Sequence, residues 1–246
     1  MTVPAVWTAS GPGSLTAAIE ALEAGAVVAV PTDTVYGLAV DPSRPAAVEA
    51  VFALKGRPRE VALPVLVANA DQVDRVTGGL EAAAADLAAR YWPGALTLVV
   101  PRARSFVVDL GGPPSARLTV GVRWPDHPVI GALCRAVGPL AVTSANRHGR
   151  PPATTAAAVA EDLDGPWRPA VIVDDGPPDD VIATLTPVYY DGVPAYWWGG
   201  RWYFRGGGGW RYYRSAPARM GSARGEYVAH RVNYGRPRGG SGRGRR

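Results

Sequence analysis

An α/β domain with a mainly parallel or mixed sheet is predicted from three features of the sequence. Short, continuous apolar runs rich in β-branched residues alternate with stretches of helical period. Clusters of Thr, Ser, Asp and Asn fall directly after those runs, where sheets of this class collect their ligands. Apolar residues make up 47% of a 246-residue chain, enough for one generous core.

Each element follows from its own pattern. Residues 14–24 carry Leu15, Ala18, Ile19 and Leu22 at helical spacing, and Gly25 is placed to end the helix. AVVAVP (residues 26–31) is a strand buried on both faces. Residues 46–54 form a second helix with Val48, Val51 and Phe52. LPVLVAN (63–69) is a second buried strand, and residues 80–91 are a third helix. ALTLVVP (95–101) and RLTVGVRWP (117–125) are strand-like, the latter alternating apolar with polar. A helix over 127–137, a strand over 139–146, a helix over 155–163 and a strand over 170–176 complete the alternation.

Composition excludes several classes of function. The single Cys134 leaves no intramolecular disulfide framework or Cys-cluster metal site. His127, His148 and His230 share no ligand spacing with acidic neighbours, so no metal site is expected. There is no GxxxxGK[ST] phosphate loop, no GxGxxG in a strand-to-helix turn and no Ser or Cys nucleophile motif. The N-terminus lacks a basic region followed by an apolar run and cleavage site, and no stretch of ~18 apolar residues occurs, so a cytoplasmic protein without membrane contact is expected.

Charge divides the chain. Residues 186–246 hold twelve Arg against Asp191 and Glu226, a balance of +10, and leave the first 185 residues at −5. The same segment contains four of the eight Trp and eight of the ten Tyr, dispersed among Gly as in YWWGGRWYFRGGGGWRYYR. Two regions are therefore expected, 1–185 as the globular α/β domain and 186–246 as an Arg/Gly/aromatic-rich tail, either disordered or folded into short hairpins. Three roles for the tail stay open: RNA contact through Arg and stacking aromatics, a poorly packed extension, or a fusion junction without selected role.

Four constellations carry chemistry. Lys55, the only Lys in the chain, stands two residues before Arg57 at a helix exit. An ammonium and a guanidinium grip phosphate oxygens in different ways, although both also suit a helix C-terminus. Thr143, Ser144 and Asn146 follow a buried strand and either donate to an anion or close a turn. Alternation puts Thr119 and Arg123 on one side of their strand, where the Arg either clamps a carboxylate or faces solvent. In VPTDTVYGLAVD (30–41), Pro31 ends a strand, Thr32 and Thr34 offer hydroxyls, Tyr36 a flat wall, and Gly37 a place for the backbone to bend.

Taken together, VPTDTVYGLAVD, FALKGRP with LPVLVAN, YWPGALTLVV, TVGVRWPDHP and PLAVTSANRHGRPPATT resemble, in order and spacing, the YrdC-like threonylcarbamoyl-AMP synthases over roughly residues 14–177. The resemblance implies a twisted mixed sheet flanked by helices around a deep basic cavity, in which L-threonine, bicarbonate and ATP yield threonylcarbamoyl-AMP and pyrophosphate. It implies that Lys55, Arg57, Ser144 and Asn146, the KxR and SxN signature, surround bicarbonate and phosphates. Thr32, Thr34 and Arg123 would hold threonine, and Thr119 and Val142 would line the ATP side. Mg²⁺ would accompany ATP without a protein cage. The product would serve N6-threonylcarbamoyladenosine formation at position 37 of tRNAs reading ANN codons, with tRNA and the proteins that finish the modification as further partners. The alternative is a non-catalytic member of the fold that binds RNA.

The sequence also departs from that family. Val61 stands where a polar residue usually follows KxRP, with Arg59 as a conceivable substitute, and ATL (183–185) replaces Ser-Thr-Val. The closing Arg-Pro-Gly element has no counterpart.

Overall fold

The computed structural model describes residues 5–8, 12–164, 168–176, 182–198, 201–206 and 209–213. In chain order the first region comprises β1 (Ala5–Thr8), α1 (Pro12–Glu23), β2 (Val28–Val30), β3 (Gly37–Val40), α2 (Pro45–Lys55), β4 (Val65–Leu66), α3 (Ala70–Thr77), α4 (Ala82–Tyr91), β5 (Leu98–Pro101), β6 (Thr119–Arg123), α5 (Pro128–Val137), β7 (Leu140–Ser144), α6 (Ala156–Asp162) and β8 (Val171–Asp174). The strands form one sheet in the order β1-β8-β2-β3-β7-β4-β6-β5. β8 runs parallel to β1 and β2, and β4 parallel to β6, whereas β2–β3, β3–β7, β4–β7 and β5–β6 are antiparallel. The expected α/β fold with a mixed sheet is present.

Both faces of this sheet are covered. Val28 and Val30 of β2, Ala39 of β3 and Val173 of β8 pack with Leu22 of α1 and with Ile130 and Leu133 of α5. The alternate residues, Ala29, Leu38, Val40 and Ile172, pack with Val51 and Phe52 of α2, Val73 and Val76 of α3 and Val159 of α6. Burial on both sides explains why β2, β3 and β8 read as uninterrupted apolar runs.

Three elements lie outside the expectations. The run 63–69 contains only the two-residue strand β4. Its last residue, Asn69, leaves the ladder because its side chain accepts from Gln72 N and caps α3. The apolar residues after Tyr36 form β3 between β2 and β7. Gly37 does not serve a bend: it pairs in the sheet, and a Cβ there would stand 2.6 Å from Val142 Cγ1, so close strand packing excludes a side chain. β1 adds the far edge strand beside β8.

The described residues after 187 form a second, four-stranded antiparallel sheet: β9 (Val188–Tyr190), β10 (Val193–Trp198), β11 (Arg201–Gly206) and β12 (Gly209–Tyr212), in the order β12-β11-β10-β9. The disordered-tail expectation for 214–246 lies outside the described residues. One face of the second sheet packs Trp198, Tyr203 and Trp210 with Ile182 and Leu185, the other Ala195 and Trp202 with Val188, Tyr190, Trp197, Phe204 and Tyr213. Gly176, at φ +73° just past β8, admits Trp210, whose Cβ and Cγ would each lie 2.6 Å from any Cβ there. Among the described residues, no helix is long and apolar enough to cross a membrane.

Candidate active site

The site begins where α2 ends. Lys55 is 4% exposed, and its ammonium donates to the carbonyl of Ser144, to Asn146 O at 2.7 Å and to Asn146 Oδ1 at 3.2 Å. Ser144 is the last residue of β7, and Asn146 lies in the turn that follows. That turn wraps the lysine: His148 N donates to Lys55 O at 2.8 Å, and Asn146 Nδ2 donates to Arg147 O and Arg150 O at 2.9 and 2.5 Å. Asp162 on α6 holds the outer side, accepting from Arg147 N at 2.7 Å and Arg150 Nη1 at 2.8 Å. Burial, and next the neighbouring Arg57, push the Lys55 ammonium down to about 8, while Asp162 opposes them.

Arg57 reaches the same strand from the other side. Its Nη1 donates to Thr143 Oγ1 at 3.2 Å and its Nε to Val61 O at 3.4 Å. The structure thus brings Lys55, Arg57, Ser144 and Asn146 together at the carboxyl end of β7, although they come from segments nearly ninety positions apart. Arg59 does not join them: it lies over the Phe52 ring and pairs with Glu49 and Asp109. Asp109, itself largely exposed, accepts from Arg59 at 2.8 Å and from Gly111 N at 2.9 Å. Val61, 53% exposed, contributes only its carbonyl.

A second group forms around the loop between β2 and β3. Thr32 Oγ1 donates to Val35 O at 2.6 Å and accepts from Thr34 N and Val35 N at 3.2 and 3.3 Å, so this hydroxyl shapes its own turn. Arg123, at the end of β6, donates from Nε to Gly94 O at 3.0 Å, from Nη1 to Thr34 Oγ1 at 3.2 Å and from Nη2 to Asp33 Oδ1 at 2.5 Å. Tyr36 forms no open wall; it is buried in the core, and burial raises its hydroxyl pKa well above the ordinary value. Its backbone joins the two groups, with Ala145 N donating to Tyr36 O at 2.7 Å and Tyr36 N to Ala153 O at 2.9 Å.

The remaining expected residues sit apart from these contacts. Thr119 is exposed at the opposite end of β6 from Arg123, paired through its backbone with Pro101. Val142 is buried, its N–H donating to Pro64 O at 2.9 Å. Among the described residues, no group of three or more His, Cys, Asp or Glu forms that would hold a metal ion.

Residues that sequence reasoning passed over lie beside the site. Asp33 pairs with Arg123, and His127 caps α5 through Nδ1 while its Nε2 meets Asp175 at 3.1 Å. Asp174, at the end of β8, is fully buried and accepts from Tyr203 Oη at 2.8 Å, Arg201 Nη1 at 3.2 Å and Gly176 N at 3.1 Å. The position of Asp33 between two Thr was the one available signal; nothing local marks Asp174, whose side-chain partners lie 27 and 29 positions away.

Comparison with known proteins agrees with this geometry. The Sua5/YciO/YrdC family model, described as telomere recombination, matches residues 20–187. A Mycobacterium tuberculosis relative is 40% identical over 163 residues, 66% of this chain and 73% of that protein. The threonylcarbamoyl-AMP synthase of Bacillus subtilis is 45% identical over 153 residues, 61% of this chain and 43% of its own length. P. abyssi Sua5, solved with L-threonine, is similar at TM-score 0.63 and 34% identity over 71% of this chain and 51% of that one. E. coli YciO shares the fold at TM-score 0.61 and 21% identity, over 72% of this chain and 85% of its own. The chain therefore spans about half of the Sua5 structure and less than half of the Bacillus relative. With the KxR and SxN pairs joined at one strand end and a family model covering most of the α/β region, the chain belongs to the Sua5/YciO/YrdC family.

Proposed function

We propose that the chain makes L-threonylcarbamoyl-AMP from L-threonine, bicarbonate and ATP, releasing pyrophosphate, for N6-threonylcarbamoyladenosine at position 37 of ANN-decoding tRNAs. The observation that carries this reading is the convergence of Lys55, Arg57, Ser144 and Asn146, joined through Tyr36 to the Thr34–Arg123 group. The named relatives and the Sua5 structure with L-threonine support it.

In this reading the threonine carboxylate takes Arg123, and the Thr34 hydroxyl lies alongside. The neutral amine attacks bicarbonate carbon, water departs, and N-carboxythreonine forms. Its carboxylate oxygen then attacks the α-phosphorus of ATP, and the bond to the pyrophosphate oxygen breaks. Neither step needs a covalent bond to the protein. The difficulty is electrostatic, since two carboxylates and a triphosphate repel by several kcal/mol at separations of about 5 Å unless cations are already in place. Lys55 and Arg57 supply that charge, and the Ser144–Asn146 turn supplies donors. A basic hollow around them would seat the phosphates. The described residues offer no carboxylate cage, so Mg²⁺ would arrive on the triphosphate itself. A tRNA-modifying role places the protein in the cytoplasm, next to the proteins that consume the product.

The test is threonine-dependent release of pyrophosphate from ATP and bicarbonate. Lys55→Ala is expected to lower the rate by at least about 100-fold, since it removes charge stabilisation and the turn that Lys55 holds. No threonine dependence in the unaltered chain, together with tight, salt-sensitive RNA binding, would favour the non-catalytic RNA-binding reading instead.

A further inference from the structure

Arg123 is held by groups of the protein itself. Three of its five N–H donors go to Gly94 O, Thr34 Oγ1 and Asp33 Oδ1, one from each guanidinium nitrogen. Gly94 is itself fixed, its N–H donating to Trp124 O at 2.8 Å, so Nε meets a rigid acceptor. The Asp33 contact is the only charged one and the shortest, and although the loop backbone is exposed, the Arg123 and Asp33 side chains are only 13% and 14% exposed. An ion pair so sheltered is screened far less than a surface pair.

We propose that Asp33 is a positioning residue: it locks the Arg123 guanidinium in the plane from which its remaining N–H groups meet the threonine carboxylate. The inference rests on the synthase reading and extends it to a residue outside the KxR and SxN set. An arginine side chain has four rotatable torsions and loses much freedom when a ligand orders it. Asp33 and Gly94 O remove that freedom in advance, one at Nη2 and the other at Nε, and preorganisation of this kind appears as affinity. The competing effect is repulsion, because Asp33 also lowers the positive potential that the substrate carboxylate meets. Positioning prevails here because Nη2 would otherwise keep no charged anchor, whereas the zwitterionic substrate brings its own ammonium to offset the repulsion.

Isothermal titration of the full chain with L-threonine and steady-state kinetics test this. Asp33→Ala is expected to raise KM for threonine about tenfold, with kcat and KM for ATP little changed, as loss of uniform binding requires. Asp33→Glu should recover most of the loss. In an Arg123→Lys background, where no fork remains to orient, adding Asp33→Ala should cost nothing further. Equal or tighter threonine binding by Asp33→Ala, or full additivity with Arg123→Lys, overturns the proposal; additivity would make Asp33 a direct partner of the substrate. If Asp33→Ala fails to fold by circular dichroism, the near-isosteric Asp33→Asn gives the same reading. Failure of the unaltered chain to bind threonine would instead overturn the synthase reading itself.

Discussion

Two buried charges of the α/β region are neutralised in different ways, one by its own region and one by the second sheet. Lys55 finds its partners inside the α/β region, in two backbone carbonyls and an amide oxygen of one turn. Asp174 belongs to the same region, but its side-chain partners, Tyr203 and Arg201, come from β11 of the second sheet. The first arrangement draws a loop around a cation and so builds the site. The second joins two sheets that differ in their filling: Val, Leu, Ile and Ala between helices in one, Trp and Tyr in the other, with ring pairs such as Phe204–Tyr213 at 4.6 Å and Tyr196–Trp210 edge to face at 5.9 Å. A four-stranded sheet with no helix among its described residues buries enough surface there only with large side chains and a firm attachment.

The strongest way to break this contrast is Asp174→Ala. It leaves Arg201 and Tyr203 without their shared acceptor and is expected to destabilise by roughly 3–5 kcal/mol. The near-ultraviolet aromatic circular dichroism should then melt ahead of the helical signal at 222 nm. A single coincident transition would show the two sheets to be one cooperative unit. A smaller effect, about 1–3 kcal/mol, is expected for Tyr203→Phe, which keeps the ring and removes one donor from a buried carboxylate. Denaturant midpoints at constant m-value would measure it.

The smallest effects are those of pH; both arise first from burial, and they have opposite signs. Burial raises the Asp174 carboxyl above its ordinary 3.8, against the pull of Tyr203, Gly176 and Arg201. As pH climbs from 3.8 toward that raised value, the folded state keeps a proton that the unfolded chain has lost, so stability falls. The slope is at most about 1.4 kcal/mol per pH unit, and Asp174→Asn should flatten it. Lys55, lowered to about 8 from 10.5, gives the reverse sign: between those values the folded state has shed a proton that the unfolded chain retains, and stability rises with pH. Turnover that needs the ammonium should decline through the same lower limit, to be read from rate against pH, even as the fold becomes more stable.

Much of this was legible beforehand. The buried strands β2, β7 and β8 and the helices α2 and α5 follow from apolar runs and caps close in sequence, and KGRP and TSAN meet because the alternation of elements brings both to strand and helix ends. What escaped depends on distant partners. α3, over residues 70–77, matches no element expected from the sequence, because Asn69 looks like a strand end until Gln72 is seen to use it. Gly37 was read as a bend, and only the neighbouring Val142 shows why it lacks a side chain. Arg59 looked able to replace a missing polar residue, yet Glu49, Asp109 and Phe52, none adjacent in sequence, hold it elsewhere. The attachment of the second sheet through Asp174 has no local signature at all.

The confinement of Lys55 also has a consequence for labelling chemistry. The sequence contains a single lysine side chain, and its nitrogen is sealed behind the SxN turn. Acylating probes aimed at primary amines should therefore leave the folded protein's side chains untouched and mark that position only once the turn has opened, making reagent uptake there a direct clock for the opening of the reaction centre.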